Sequence, residues 1–160
     1  MTHPSLGLPP PDTTAAFPVA AARIRADSVR LAARALEVAI DRDPAFHDRY
    51  DEIGLRRLLR DLGTFIDRLA YAVATGDPHA FGSFVDQTVP MYRRRAVPMD
   101  DLAQLFEGLR SAIGALVVGD EAAPLHAAID DGIAQTRWNR RIAGDARKRN
   151  RLLQAIYKGA

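Results

Sequence analysis

The sequence predicts an all-α fold of about six helices, and three observations carry that prediction. Apolar residues recur at i, i+3, i+4 and i+7 over long stretches, Pro and Gly fall between those stretches, and no stretch alternates with period two between hairpin turns. A chain of 160 residues that is 48% hydrophobic can bury roughly 68–70% of its unfolded surface. One domain with its own core is therefore expected, with no need of a disulfide or structural zinc. The absence of Cys excludes both, together with a thiol nucleophile, an iron–sulfur site and thioether attachment of a haem or bilin.

Residues 1–17 hold Pro4, Pro9, Pro10 and Pro11 and no apolar period, which predicts a flexible Pro-rich leader before a single helical domain over 18–160. No Lys or Arg precedes Arg23, so the leader lacks the basic and apolar regions of a signal peptide, and a cytoplasmic chain is expected. From about Val19 to Ile40, Ile24, Val29, Leu31, Leu36 and Ile40 stand among many Ala, the best helix former, and predict one helix with a narrow apolar stripe. Asp43-Pro44 ends it, because the residue before Pro is pushed out of the helical region.

From Glu52 to Thr75 the apolar positions Leu55, Leu58, Leu59, Leu62, Phe65, Ile66, Leu69, Ala70 and Val73 sustain a helical period over about seven turns. Gly76 supplies a left-handed stop, Asp77 an acceptor for the next free N–H groups and Pro78 a pre-set first helical residue. The following helix, to about Arg94, presents Phe81, Phe84, Val85, Val89 and Tyr92, with a kink or early stop expected near Thr88 because of Pro90. At the corner Arg95-Ala96-Val97-Pro98, Pro98 opens the next helix, and Asp100 and Asp101 stand where its dipole favours negative charge. Leu102, Leu105, Phe106, Leu109, Ile113 and Leu116 give that helix an apolar face ending at Gly119. Asp120 is read as the cap of another helix, with Leu125, Ile129 and Ile133, and a last segment carries Leu152, Leu153, Ile156 and Tyr157.

Charge is uneven. Residues 137–151 hold seven cationic groups against Asp145, a net +6 in a chain of +2 overall. This basic segment could bind phosphates or an acidic partner, but only Trp138 interleaves it and no helix-turn-helix pattern accompanies it, so nucleic acid is not favoured. The longest uncharged run beyond the leader, Ser111 to Gly119, is about half of the roughly 20 residues that a membrane-spanning helix needs, so no span is expected.

Phosphate-binding glycine patterns, nucleophile elbows and HExxH are absent, and the expectation is a non-enzymatic chain. The pairs Asp100/Asp101 and Asp130/Asp131 cannot share a proton, since helix neighbours point apart, and are read as solvated surface. His47/Asp51 and His126/Asp130 stand at i, i+4, but two ligands are too few for a metal. His126 alone could serve as the axial ligand of a haem, which would give a sharp visible band abolished by His126→Ala. Aromatic and Arg residues gather on the central helices, and a pocket there could hold a flat ligand between Phe65, Tyr71, Phe84 and Tyr92 while Arg68 or Arg95 pairs with its carboxylate.

The chain carries Arg49-Tyr50, then Arg56-Arg57-Leu58-Leu59-Arg60-Asp61-Leu62, then Ala74-Thr75-Gly76-Asp77-Pro78, Phe81 with Phe84-Val85, and Arg95-Ala96-Val97-Pro98. In these residues the segment from Arg49 to about Gly119 resembles the photoglobins, non-haem globin-like bacterial sensor domains related to the stressosome globin sensors and often coupled to cobalamin-binding domains. The same rhythm is similar to the helical cap of cobalamin-binding proteins. Where the family commonly has His four residues after the Asp, this chain has Phe65 after Asp61; where it commonly has Trp, this chain has Gln87 after Phe84; and Ala96 replaces the usual Gly of the corner.

The resemblance implies a globin-like bundle, a tetrapyrrole-like chromophore with a linear one favoured over haem, and signal input through a homodimer to a cobalamin-binding or other signalling protein. The ligand residues expected on this basis are Asp61, Phe65, Arg68, Tyr71, Phe84, Tyr92 and Arg95. The rival expectations are a haem-binding globin using His126 and a helical module that binds protein or nucleic acid through the basic tail.

Overall fold

A computed structural model describes residues 3, 4, 6, 7 and 16–144. It is an all-α bundle with seven α-helices and no strand among those residues: α1 (Pro18–Ala26), α2 (Ser28–Arg42), α3 (Phe46–Arg49), α4 (Glu52–Thr75), α5 (His79–Arg94), α6 (Met99–Ile113) and α7 (Ala122–Ala143). The basic residues 145–151 and the segment with Leu152, Leu153, Ile156 and Tyr157 lie outside the described residues, as does most of the leader.

The long helix α4 occupies the middle because its sustained apolar stripe gives it a face to bury against several neighbours at once. It packs on α1, α2, α5 and α7, while α2 crosses α6, and α7 closes against α5 and α6. The Asp51 carboxylate caps α4 by accepting from the Gly54 amide at 2.7 Å. Gly76, at φ 69°, ends it in the left-handed region. Asp77 takes up the His79 amide at 3.1 Å, so the tight α4–α5 corner follows the side-chain chemistry read from the sequence.

Four expectations change. The stretch Val19 to Ile40 is two helices parted at Asp27, because Ala20, Ala21 and Ile24 face α4 whereas Leu31, Ala32 and Ala35 serve the packing of α2 on α4 and α6. Helix α5 does not stop near Thr88: it runs through Pro90, whose ring is on the exposed side, while the Thr88 hydroxyl donates to the Val85 carbonyl at 2.8 Å. Helix α6 ends at Ile113 rather than Gly119, because residues 114–118 turn so that Val117 enters the core and Val118 extends into solvent. Asp120 lies inside a 3-10 turn (Gly119–Glu121) and makes no side-chain cap to α7.

No helix among the described residues is long and apolar enough to cross a membrane.

Candidate functional site

Phe65 is the centre of the aromatic core. It is 2% exposed, and its ring meets Phe106 at 4.9 Å, Phe84 at 5.8 Å and Phe81 at 6.1 Å edge to face, and stacks on Tyr92 at 5.9 Å. Such pairs add about 0.5–1.5 kcal/mol each beyond the area they bury. Helical spacing on α4 and α5 brings Phe65, Phe81, Phe84 and Tyr92 together, as the sequence pattern implies, and α6 contributes Phe106. The ring at position 65 fills the middle of the cluster.

The seven expected ligand residues fall into two groups joined by Phe65. The inner group is Asp61, Tyr92 and Arg95. Arg95 Nη1 donates to Asp61 Oδ2 at 2.6 Å, its guanidinium lies 5.3 Å from the Tyr92 ring centre, and the Tyr92 hydroxyl is hydrogen-bonded to Asp61. Burial raises the Tyr92 pKa well above its ordinary value, and the Asp61 charge and hydrogen bond add to the rise against a smaller opposite effect of Arg95. Asp61 thus ties the end of α5 to α4, and Arg95 already has an internal carboxylate.

The outer group is Arg68, Tyr71 and Phe84. The Arg68 guanidinium lies over the Phe84 ring, 4.9 Å from its centre, and Tyr71, one helical turn on, is half exposed. Together with Arg25 of α1 and Thr64 and Asp67 of α4, Arg68 and Tyr71 line a surface cleft of about 380 Å³. Gln87 is exposed.

A second cleft, of about 690 Å³, lies between α6 and the end of α7. Asp100, Asp101 and Glu107 face Arg137, Arg140 and Arg141 across it, and Arg140 pairs with Asp100 at 2.8 Å. The described half of the basic segment is therefore partly neutralised within the fold.

Two carboxylates read as solvated surface are not. Asp101 is 4% exposed: its Oδ2 accepts from Arg49 Nε at 2.9 Å and from the Tyr50 hydroxyl at 2.6 Å. Asp131 is largely buried and faces His79 Nδ1 at 3.5 Å. Burial raises the Asp131 pKa, with His79 pulling the other way. Neighbours on a helix point about 100° apart, and here Asp101 and Asp131 turn towards the packed side while Asp100 and Asp130 stay more exposed. The adjacency of Arg49 and Tyr50, both able to satisfy a carboxylate, was the available signal for Asp101.

His126 is partly buried on α7, with its Nδ1 3.4 Å from Arg110 Nη1, and Arg110 also pairs with Asp130. His47 lies in α3 and Asp51 caps α4, so those two do not share a helix. Among the described residues no group of three or more His, Asp or Glu is placed to hold a metal ion. No protein-family model matches the chain, and no curated protein matches it in sequence.

Proposed function

We propose that the chain is a non-enzymatic sensory or regulatory domain of the photoglobin kind, taking a flat, conjugated, acidic ligand at the outer end of its aromatic core. A linear tetrapyrrole is the first choice. The observation that carries this reading is a continuous row of planar groups: Arg68 over Phe84, Phe84 against Phe65, Phe65 stacked on Tyr92, and Tyr92 under Arg95. A ligand carboxylate that pairs with Arg68 acts on one end of that row. Signalling then requires that the ligand bind one arrangement of α4 and α5 better than another, with a second copy or a signalling partner responding to the difference. Of the two arginines considered from the sequence, Arg68 is the one with no carboxylate paired to it among the described residues, whereas Arg95 is held by Asp61.

The test is an absorption titration with biliverdin followed by gel filtration. The wild-type chain retains the chromophore, and Arg68→Ala loses it with an unchanged far-ultraviolet circular dichroism spectrum. A wild-type chain that retains no chromophore overturns the reading. Retention unaltered by Arg68→Ala removes Arg68 from the site.

A further inference from the structure

We propose that the cleft formed by Arg25, Thr64, Asp67, Arg68 and Tyr71 is a binding site for a small aromatic dicarboxylate. The inference deepens the sensory reading by naming the chemistry of the group recognised there, and it rests on that reading only for the role of the ligand.

Two cations on separate helices line one cleft. Arg25 ends α1 and Arg68 belongs to α4; the packing of α1 on α4 brings both to the same opening. Among the described residues neither guanidinium is in an ion pair, although Asp67 lines the same cleft. Two cationic side chains from different helices lining one opening can each take one negative group of a ligand that bears two. Guanidinium planes match carboxylates through paired N–H donors. The Arg68 plane is already oriented by the Phe84 ring beneath it, which lowers the ordering cost of binding.

The remaining walls select the body of the ligand. Tyr71 is 49% exposed, an aromatic ring left open to a flat partner. Asp67 and Thr64 offer acceptors for a donor on the ligand and set an acidic limit on one side, so a cluster of negative charge fits less well than two carboxylates held apart. The volume of about 380 Å³ lies at the small end of the roughly 300–1,000 Å³ range of ligand sites. It suits one or two rings, or one carboxylate-bearing end of a larger molecule.

The probe is naphthalene-2,6-dicarboxylate, titrated calorimetrically into the full chain. Saturable binding is expected, weakened about tenfold or more by Arg25→Ala and by Arg68→Ala, since a charge-assisted hydrogen bond contributes roughly that factor. Arg57→Ala, an exposed arginine of α4 outside the cleft, is expected to leave binding unchanged. Naphthalene-2-carboxylate is expected to bind more weakly than the dicarboxylate, and inorganic phosphate not to compete. Absence of saturable binding overturns the proposal, as does equal weakening by Arg57→Ala or effective competition by phosphate. A chain that retains biliverdin through Arg68 but ignores the dicarboxylate loses this inference and keeps the sensory reading. The converse keeps the cleft and discards the tetrapyrrole.

Discussion

The Tyr50 hydroxyl donates to the Asp101 carboxylate at 2.6 Å across the junction of α3 and α6. Arg49 Nε reaches the same oxygen at 2.9 Å, and Arg49 also pairs with Asp43 at the end of α2. Burial alone would lower the Arg49 pKa, but its hydrogen bonds to Asp43 and Asp101 and their charges outweigh burial and raise it. One buried carboxylate thus fixes the α2–α4 connection onto α6. Arg95 and Tyr92 on Asp61 repeat the device at the other corner.

Asp101→Ala should therefore be severe. The substitution removes the hydrogen bonds that Arg49 and Tyr50 make to this carboxylate and leaves the Arg49 guanidinium, whose side chain is 13% exposed, paired with Asp43; losing hydrogen bonds to a buried charged group costs about 1–3 kcal/mol. Urea unfolding should show a lower midpoint with an unchanged slope. Glu52→Ala removes the solvent-exposed pair with Arg56, and its midpoint should stay with wild type. Equal midpoints for Asp101→Ala and Glu52→Ala would show that the buried arrangement carries no stability.

How much of this was legible follows from what each feature depends on. Helix α4 and its Gly76-Asp77-Pro78 corner were readable because local periodicity and turn chemistry decide them. The break at Asp27 and the end of α6 at Ile113 depend on which neighbour each turn packs against, information that a single-chain pattern does not contain. Phe65, Phe84 and Tyr92 could be grouped from spacing on α4 and α5, but spacing does not distinguish the walls of an opening from a filled core. The cleft needed Arg25, which sequence reasoning did not single out: it lies far from Arg68 along the chain and reaches it only through the packing of α1 on α4.

The crossing of α2 and α6 requires a glycine. A Cβ on Gly108 would stand 2.2 Å from the Ala35 carbonyl oxygen and 3.2 Å from its Cα, both backbone atoms that cannot rotate away. Gly108→Ala should destabilise by about 1–3 kcal/mol, the usual range for overpacking. Gly63, inside α4, has nothing within 4 Å of such a Cβ. Gly63→Ala should instead stabilise by roughly 0.5–1 kcal/mol, because glycine loses more chain entropy in a helix. Thermal unfolding of the two variants should move in opposite directions, and a shared direction would contradict the packing assigned to Gly108.

Ala96 has φ 57° and is the one non-glycine residue with positive φ among those described. An L-residue in this conformation costs roughly 1–2 kcal/mol. Ala96→Gly relieves the strain but frees the unfolded chain, so a net gain of about 0.5–1 kcal/mol is expected. Ala96→Val should lose stability, since a branched Cβ fits this region worse. Unfolding midpoints in the order Gly above Ala above Val check the assignment, and a midpoint for Val at or above that of Ala would refute it.

Asp131 makes the stability of the α5–α7 contact depend on pH. A Cβ on Gly82 would lie 2.0 Å from Asp131 Oδ2, so the carboxylate occupies the space that a side chain at position 82 would fill. His79 Nδ1 stands 3.5 Å away. Burial raises the Asp131 pKa above its ordinary 3.8; His79 lowers it, Asp77 raises it further and His3 lowers it, and the net direction is upward. The folded chain therefore holds this proton more tightly than the unfolded chain does. The group contributes its full stabilisation below about pH 3.8 and loses it as pH rises through the raised value. Asp131→Asn, of the same shape and without a titrating proton, should lack that loss. The unfolding midpoint of the variant relative to wild type should rise as the pH is raised from 3.8 through the titration of the buried carboxyl. Parallel midpoints across that window would show that the Asp131 carboxylate does not hold its proton through burial.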